Sequence, residues 1–499
     1  MLKRFPLYPI LFAVFPILSL TAYNIEQISL DVVSRPLLVS LFLGVVLFGL
    51  ARLILRDWYR AALATLAALF LFFIYGQVYN LLEDVTLGSV SIFRHRTLLP
   101  LFGILFVAIL YLILRLKQPG RFTLWFNLLA IFLLVYPVAH ITLSTFQQES
   151  ADRSVRVSYR QAAANANRPD VYYIILDAYG RADVLQKLLG YDNREFLNAL
   201  RQRGFYIADC SQSNYGYTEF SLTSSLNFNY LDDLGVAYSR DNRVALLQHS
   251  ATRSFFEANG YKIVAFPTGF PFTEWRDADL YLNFEQPVTS LTEFESLILN
   301  TTALRAVTDF QAPDTSNASR KDLRRLRVYS LLDKIKKLPG VDGNLFVFAH
   351  LVVPHFPYTF GPNGEATAYR GKDATYEQTA AAYAGQVQFI NQEILKVVDA
   401  LIENSKVPPV IIIQGDHGPL PDLATDGAHR MPILNAYYLP GIQMDKVLYP
   451  SITPVNSFRV VLNSYFGQNL PLLKDQSYFA PLEDRNEYEL VPNTCTGKP

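Results

Sequence analysis

Five apolar runs crowd the first third of the chain, at Leu7 to Tyr23, Pro36 to Leu55, Tyr59 to Leu81, Leu98 to Leu116 and Leu124 to Leu143. Each approaches the roughly 20 residues that cross a bilayer as a helix. They predict five spans and exclude an ordinary soluble fold for this part of the chain. Basic residues set the orientation. Lys3 and Arg4 precede the first run, Arg52, Arg56 and Arg60 lie between the second and third, and Arg115, Lys117 and Arg121 lie between the fourth and fifth. Those segments are expected to face the cytoplasm. The alternate segments carry Glu26, Asp31, Glu83 and Asp84, with Arg94 and Arg96 as exceptions. An odd number of spans that starts inside puts everything after about Ser144 outside. The first run begins like a signal peptide, but Leu20 to Tyr23 is a poor cleavage site, so an uncleaved span is expected.

The remaining chain divides into a polar linker at 147–168 and a globular domain over 169–499 that follows the membrane domain at 1–146. Over the whole chain 44 basic and 44 acidic residues cancel, and no basic tract is interleaved with aromatics, so no nucleic-acid partner is expected. The two cysteines, Cys210 and Cys495, both fall in the part placed outside, where a disulfide is permitted; two unpaired thiols fit the sequence equally well.

Within the globular domain, short apolar runs at Val171 to Leu176, Tyr261 to Phe266, Leu345 to Phe348 and Val410 to Ile413 read as strands buried on both faces, as in a parallel sheet. Helical periodicity appears between them, at Glu195 to Arg203 and at Gln378 to Glu403. The segment Lys321 to Lys337 reads as a basic amphipathic helix with a solvated face. Alternating strands and helices predict an α/β sandwich, whose ligands bind beyond the carboxyl ends of the strands. Asp177, His350 and the pair Asp416 and His417 each follow one of these strands.

Four stretches carry the chemistry. Val410 to Pro419 ends in Gly-Asp-His-Gly, which exposes a carboxylate and an imidazole side by side, with glycines expected to let the backbone bend around them. Asp177 ends Ile-Ile-Leu-Asp, although it could equally cap a helix starting near Ala182. Ser213 to Asn227 is dense in hydroxyls and puts Thr218 at a helix start, where free N–H groups favour a phosphate; taken locally, Thr218 could only cap that helix. A threonine hydroxyl becomes a competent nucleophile when a divalent cation lowers its pKa. Phe348 to Tyr358 holds His350 and His355, either ligands of a second metal, donors to a phosphoryl oxygen, or plain core histidines. Arg430, next to His429, could fork onto a phosphate or pair with a surface acid.

Taken in this order, these pieces resemble the sulfatase-like branch of the alkaline phosphatase superfamily. With its membrane anchor the chain looks like lipoteichoic acid synthases and lipid A phosphoethanolamine transferases. The resemblance implies an N-terminal five-helix transmembrane domain followed by an alkaline phosphatase/sulfatase-like α/β sandwich. It implies that Asp177, Thr218, Asp416 and His417 hold one divalent ion, Zn²⁺ or Mn²⁺, with a second possible, and that Thr218 is the nucleophile. His350, His355, His429, Arg430 and Asn214 become substrate contacts. The donor would be a phospholipid, the acceptor an envelope glycan or lipid, and the setting the bacterial cytoplasmic membrane with the catalytic domain on its periplasmic or extracellular side. A hydrolase with the same site, or an inactive membrane scaffold, is the alternative. Formylglycine-dependent sulfatases need a Cys or Ser followed by x-Pro-x-Arg, a context that neither Cys210 nor Cys495 has.

Overall fold

The computed structural model describes residues 5–25, 28, 30–83, 85–87, 90–154, 168–235, 240–284, 291–311, 315–367, 369, 371, 374–419, 426–480 and 488–495. The chain forms two compact units, one of residues 1–146 and 286–320, the other of 147–285 and 321–499. Residues 286–320 thus group with the first unit, which a linear division near residue 146 does not anticipate. Of the segment expected to be a linker, 147–154 continue the last helix of the first unit and 155–167 lie outside the described residues.

The first unit is built on α1 (Tyr8–Tyr23), α2 (Ser34–Leu55), α3 (Trp58–Leu82), α4 (His95–Arg115) and α5 (Thr123–Ser154). The expected count of five spans is corrected here. Four stretches are helical, long and apolar enough to cross a membrane: Ser34–Leu55, Trp58–Leu82, His95–Arg115 and Pro119–Phe146. Helix α1 has 16 residues; at 1.5 Å per residue it is about 24 Å long, short of the ~30 Å hydrocarbon core.

Small residues Ala61, Ala62 and Ala64 let α3 pack tightly, whereas Leu38, Phe42, Leu53, Ile54, Phe132 and Tyr136 point outward. Asn127 at the start of α5 accepts hydrogen bonds from the backbone N–H of Leu7 and Tyr8, each at 2.9 Å, and Arg60 donates to Leu116 O at 3.2 Å. The start of α1, the α2–α3 turn and the α4–α5 turn therefore gather at one end, the end that carries the basic residues. The inserted segment supplies two short helices, Glu293–Thr301 and Leu304–Gln311. Ala303 N–H donates to Phe72 O at 2.9 Å, and Arg305 and Asp309 pair with Glu83 and His95, each at 2.8 Å.

The second unit is an α/β sandwich around a seven-stranded sheet. Its strands are β1 (Val171–Leu176), β2 (Tyr206–Ile207), β3 (Lys262–Ala265), β4 (Leu280–Tyr281), β5 (Leu345–Leu351), β6 (Val410–Gly415) and β7 (Asn435–Tyr438), in the order β2-β7-β6-β1-β5-β3-β4. The middle of the sheet is parallel, and β7 runs antiparallel to both neighbours. Successive residues of β1 serve opposite faces. Tyr172, Ile174 and Leu176 enter one core with Val387, Ile390, Ile394, Val397 and Leu401 of the long helix Tyr376–Asn404; Val171, Tyr173 and Ile175 enter the other with Phe255, Phe256 and Phe458. This double burial is why β1, β5 and β6 read as unbroken apolar runs.

Cys210 and Cys495 form a disulfide with their Cα atoms 5.4 Å apart, 285 residues apart in sequence, which decides between the two sequence readings. Closing so long a loop constrains the unfolded chain, by about 5–6 kcal/mol in the chain-entropy account. A Cys495→Ser variant is therefore expected to unfold at lower guanidinium concentration, and dithiothreitol should shift the unmodified protein the same way while leaving the variant unmoved.

Candidate metal centre

Strands β1, β5 and β6 run parallel with Leu176 opposite both Leu351 and Gly415, so their carboxyl ends open on one edge. Asp177 follows β1, Asp416 and His417 follow β6, and His350 is the penultimate residue of β5 rather than a residue beyond it. All four are buried, at 1, 1, 2 and 1 % exposure. Asp177 caps no helix, since the next one begins at Ala182 with Arg181 before it. Thr218 is the first residue of the helix Thr218–Leu226, whose start no side chain caps. Its hydroxyl is half-buried and lies 3.3 Å from His417 Nε2.

Two overlapping sets of donor atoms form, each within 4.8 Å: Asp177 with His355 and His417, and Asp177 with His350 and Asp416. His350 Nε2 is 3.3 Å from Asp177 Oδ2, and His417 Nε2 is 3.6 Å from both Asp177 Oδ1 and Asp416 Oδ2. Ligands bonded tetrahedrally to one ion at ~2.0–2.1 Å sit ~3.3–3.4 Å from one another, so the spacing fits. The other ring nitrogens are already engaged. Nδ1 of His417 meets Gly418 O at 2.8 Å and Nδ1 of His355 meets Phe356 O at 2.5 Å; a carbonyl only accepts, so Nδ1 carries the proton in both. Nδ1 of His350 lies 3.2 Å from the Thr273 hydroxyl. The imidazoles of His417 and His355 therefore present a bare Nε2 to the cluster, the tautomer that metal ligation needs.

Unpaired atoms mark the same place. Asp177 Oδ1, Asp416 Oδ2 and His350 Nε2 are buried without a hydrogen-bond partner among the described residues. Leaving such groups unsatisfied costs about 1–3 kcal/mol each, more for charges, so three together call for a ligand. The electrostatics agree. Burial and then Asp177 push the Asp416 carboxyl up to about 6, against His350 and Thr218. Burial raises Asp177, but His355, His350 and His417 together hold it below the usual carboxylate range. Burial and then Arg430 bring His417 down to about 3, which keeps it neutral and able to ligate. The residues present thus fit a divalent cation.

The backbone explains how the carboxylates are aimed. Asp416 Oδ1 accepts from Ala178 N–H at 3.0 Å and from its neighbour His417 N–H at 2.9 Å, which turns Oδ2 toward the cluster. The glycines around Asp416 and His417 serve a different purpose from the expected one. Neither Gly415 nor Gly418 has a positive φ; a Cβ on Gly415 would meet Tyr179 O at 2.5 Å, and one on Gly418 would meet Arg430 O at 2.7 Å. Close approach, not a tight bend, requires them. Gly418→Ala is expected to cost about 1–3 kcal/mol through this overpacking and to displace His417, which a thermal melt and a metal titration would register together.

The remaining candidates separate. His355 joins the cluster as a donor. Arg430 is 2 % exposed, and its Nε and Nη1 donate to Gly216 O at 2.8 Å and Pro419 O at 2.9 Å. It ties the Thr218 segment to the Asp416 turn. His429 bonds Asp426 at 2.7 Å and joins neither donor set. Asn214 is engaged within the fold: its amide donates to Thr453 and Gln476 and accepts from Val455 N–H. Arginines of the basic helix, observed over Thr315–Ile335, also have structural work: Arg325 donates to Thr359 O and Gly364 O, and Arg327 to Thr268 O. Thr273, which orients His350, escaped sequence reasoning because nothing local distinguishes it from any other loop threonine.

Residues 169–449 match the family model described as Sulfatase. No curated protein matches the chain significantly. Among solved structures, the chain is similar to the integral membrane protein lipooligosaccharide phosphoethanolamine transferase A of Neisseria meningitidis, with 14% identity, 92% of this chain and 94% of that chain covered, and a TM-score of 0.40. It is similar to the C-terminal periplasmic domain of EcEptC of Escherichia coli in complex with Zn, with 12% identity, 66% and 94% covered, and a TM-score of 0.43. A third likeness is the C-terminal periplasmic domain of phosphoethanolamine transferase EptC of Campylobacter jejuni, with 11% identity, 62% and 95% covered, and a TM-score of 0.39.

Proposed function

We propose, for a chain that belongs to the Sulfatase family, a membrane-anchored, metal-dependent transferase in which Thr218 takes a phospho-head group from a phospholipid and passes it to a cell-envelope acceptor. The observation that carries this reading is the Thr218 hydroxyl, 3.3 Å from His417 Nε2 and at the mouth of a cluster whose buried donor atoms lack partners. Asp177, Asp416, His417 and the Thr218 hydroxyl would hold one divalent cation, and His350 and His355 are placed to complete its shell or to hold a second. Imidazole and carboxylate donors suit Zn²⁺ or Mn²⁺. When bound, such an ion lowers the pKa of a ligating hydroxyl and neutralises charge on a phosphoryl oxygen.

The chain's own groups do the rest. Thr218 gives up its hydroxyl proton as Oγ bonds to phosphorus, the phosphorus–oxygen bond to the diacylglycerol breaks, and the departing alkoxide takes up one proton in its place. In the second half the acceptor hydroxyl gives up its proton as it bonds to phosphorus, the bond to Thr218 Oγ breaks and Oγ takes up one proton, so the head group moves without net hydrolysis. The uncapped start of the Thr218–Leu226 helix offers backbone N–H groups to the phosphoryl oxygens. Formylglycine chemistry is ruled out for both cysteines, since Cys210 and Cys495 are bonded to each other.

The placement of the catalytic unit follows the same reading. The basic end of the helical unit belongs in the cytoplasm by the positive-inside rule. Helix α1 starts at that end and runs away from it, and the four spans that follow bring the chain back to the opposite end, which we assign to the outer face of the bacterial cytoplasmic membrane. A disulfide suits that compartment. Anchoring holds the site near the leaflet and raises the effective concentration of a lipid donor. The test is incubation of the purified protein with head-group-labelled phospholipid, with and without envelope glycans and lipids. Label moving to an acceptor supports the transferase; free head group released at the same rate without any acceptor would replace it with a hydrolase.

A further inference from the structure

Ala178, directly after the ligand Asp177, sits at φ +64°, fully buried, in the left-handed region that side-chain-bearing residues avoid. Such a conformation persists only where the surroundings fix it. Two groups do so. Ala178 N–H donates to Asp416 Oδ1 at 3.0 Å, and Ala178 O accepts from the hydroxyl of Tyr383 at 2.6 Å. The same hydroxyl accepts from Gly180 N–H at 3.2 Å and so bridges the turn that carries Asp177 out of β1. Tyr383 comes from the long helix Tyr376–Asn404 on one face of the sheet, and its ring is fully buried in the core there. Burial, with Asp177 and Asp416, pushes its hydroxyl above the ordinary tyrosine value, so it keeps its proton and remains a donor.

We propose that Tyr383 is a positioning residue for the metal centre: its hydroxyl clamps the left-handed turn at Ala178 and thereby fixes both Asp177 and, through Ala178 N–H, the Asp416 carboxylate. This rests on the metal-site reading above. The Asp416 carboxylate is held through Ala178 N–H, the main chain that carries Asp177 is set by the same turn, and Tyr383 holds that turn by its carbonyl. Tyr172 is the matched comparison, a tyrosine of β1 that is equally buried but has a hydroxyl without a hydrogen-bond partner.

The experiment is competitive-chelator titration of Zn²⁺ and Mn²⁺ on the full chain in detergent, with metal content read by elemental analysis. Tyr383→Phe is expected to weaken metal affinity by about 10–100-fold, the usual cost of losing a group that orients ligands. Tyr172→Phe should stay within about threefold of the unmodified protein, far below that loss. In an Ala178→Gly background the Tyr383→Phe loss should shrink below about threefold, because glycine takes φ +64° unaided; this pair also removes the strain that could prevent Tyr383→Phe from folding. Affinity within threefold of the unmodified protein in Tyr383→Phe, or an undiminished loss in the glycine background, would overturn the proposal alone. Unmodified protein that holds no stoichiometric metal would overturn the metal site and the proposal together.

Discussion

Thr218→Ala is expected to lower head-group transfer by on the order of 10⁴-fold, the scale on which loss of a covalent nucleophile is usually felt. The fold should survive, because Thr218 is half-buried, caps no helix, and has its hydroxyl only beside His417 and Asp416. Metal content should fall much less than activity, since Asp177, Asp416 and His417, with His350 and His355 beside them, remain to hold the ion. Thr218→Ser is the informative companion. It keeps an oxygen nucleophile, so recovery of a sizeable part of the rate is expected. Steady-state turnover on labelled phospholipid measures both, and full activity in the alanine variant would remove Thr218 from the reaction.

Asp177→Ala is expected to abolish stable metal binding, with affinity falling by more than about 10²-fold, because Asp177 is the one residue shared by both donor sets. Binding to the folded state alone stabilises it, by about 2.7 kcal/mol when free metal is 100 times the dissociation constant. A chelator should therefore lower the melting temperature of the unmodified protein and leave Asp177→Ala where it was. The substitution removes a charge that is 1 % exposed and carries an unpaired oxygen. Differential scanning calorimetry with and without chelator checks both halves of this expectation.

What was legible from sequence is what depends on strand-to-turn chemistry. Double burial of β1, β5 and β6 leaves continuous apolar runs, and parallel pairing brings their carboxyl ends to one edge, so Asp177, His350, Asp416 and His417 are found together once the runs are recognised. Features set by tertiary contact were not legible. Glu293–Thr301 and Leu304–Gln311 are short helices of ordinary composition, and only their packing on α3 reveals that they belong with the membrane helices. Helix α1 looks like a span because it is apolar nearly throughout, but its 16 residues fall short of the hydrocarbon core. The partners of Asn214, Thr453 and Val455, lie more than 200 residues away in sequence and leave no trace in the hydroxyl-rich stretch around Thr218. The need for Gly415 and Gly418 was right in residue type and wrong in reason: a bend is written in local dihedrals, whereas the close passage of Tyr179 and Arg430 comes from distant parts of the chain. Tyr383 carries no local signal at all, being one aromatic among many on a core helix.

The central claim, that a hydroxyl, two carboxylates and imidazoles converge so that Thr218 becomes a covalent carrier, is tested most directly by mass spectrometry of tryptic peptides after brief exposure to a phospholipid donor without acceptor. The account predicts a phospho-head-group mass added to the peptide that contains Thr218, chased away when acceptor is supplied and missing from Thr218→Ala. An unmodified Thr218 peptide during active turnover, or an adduct on a different residue, would contradict it.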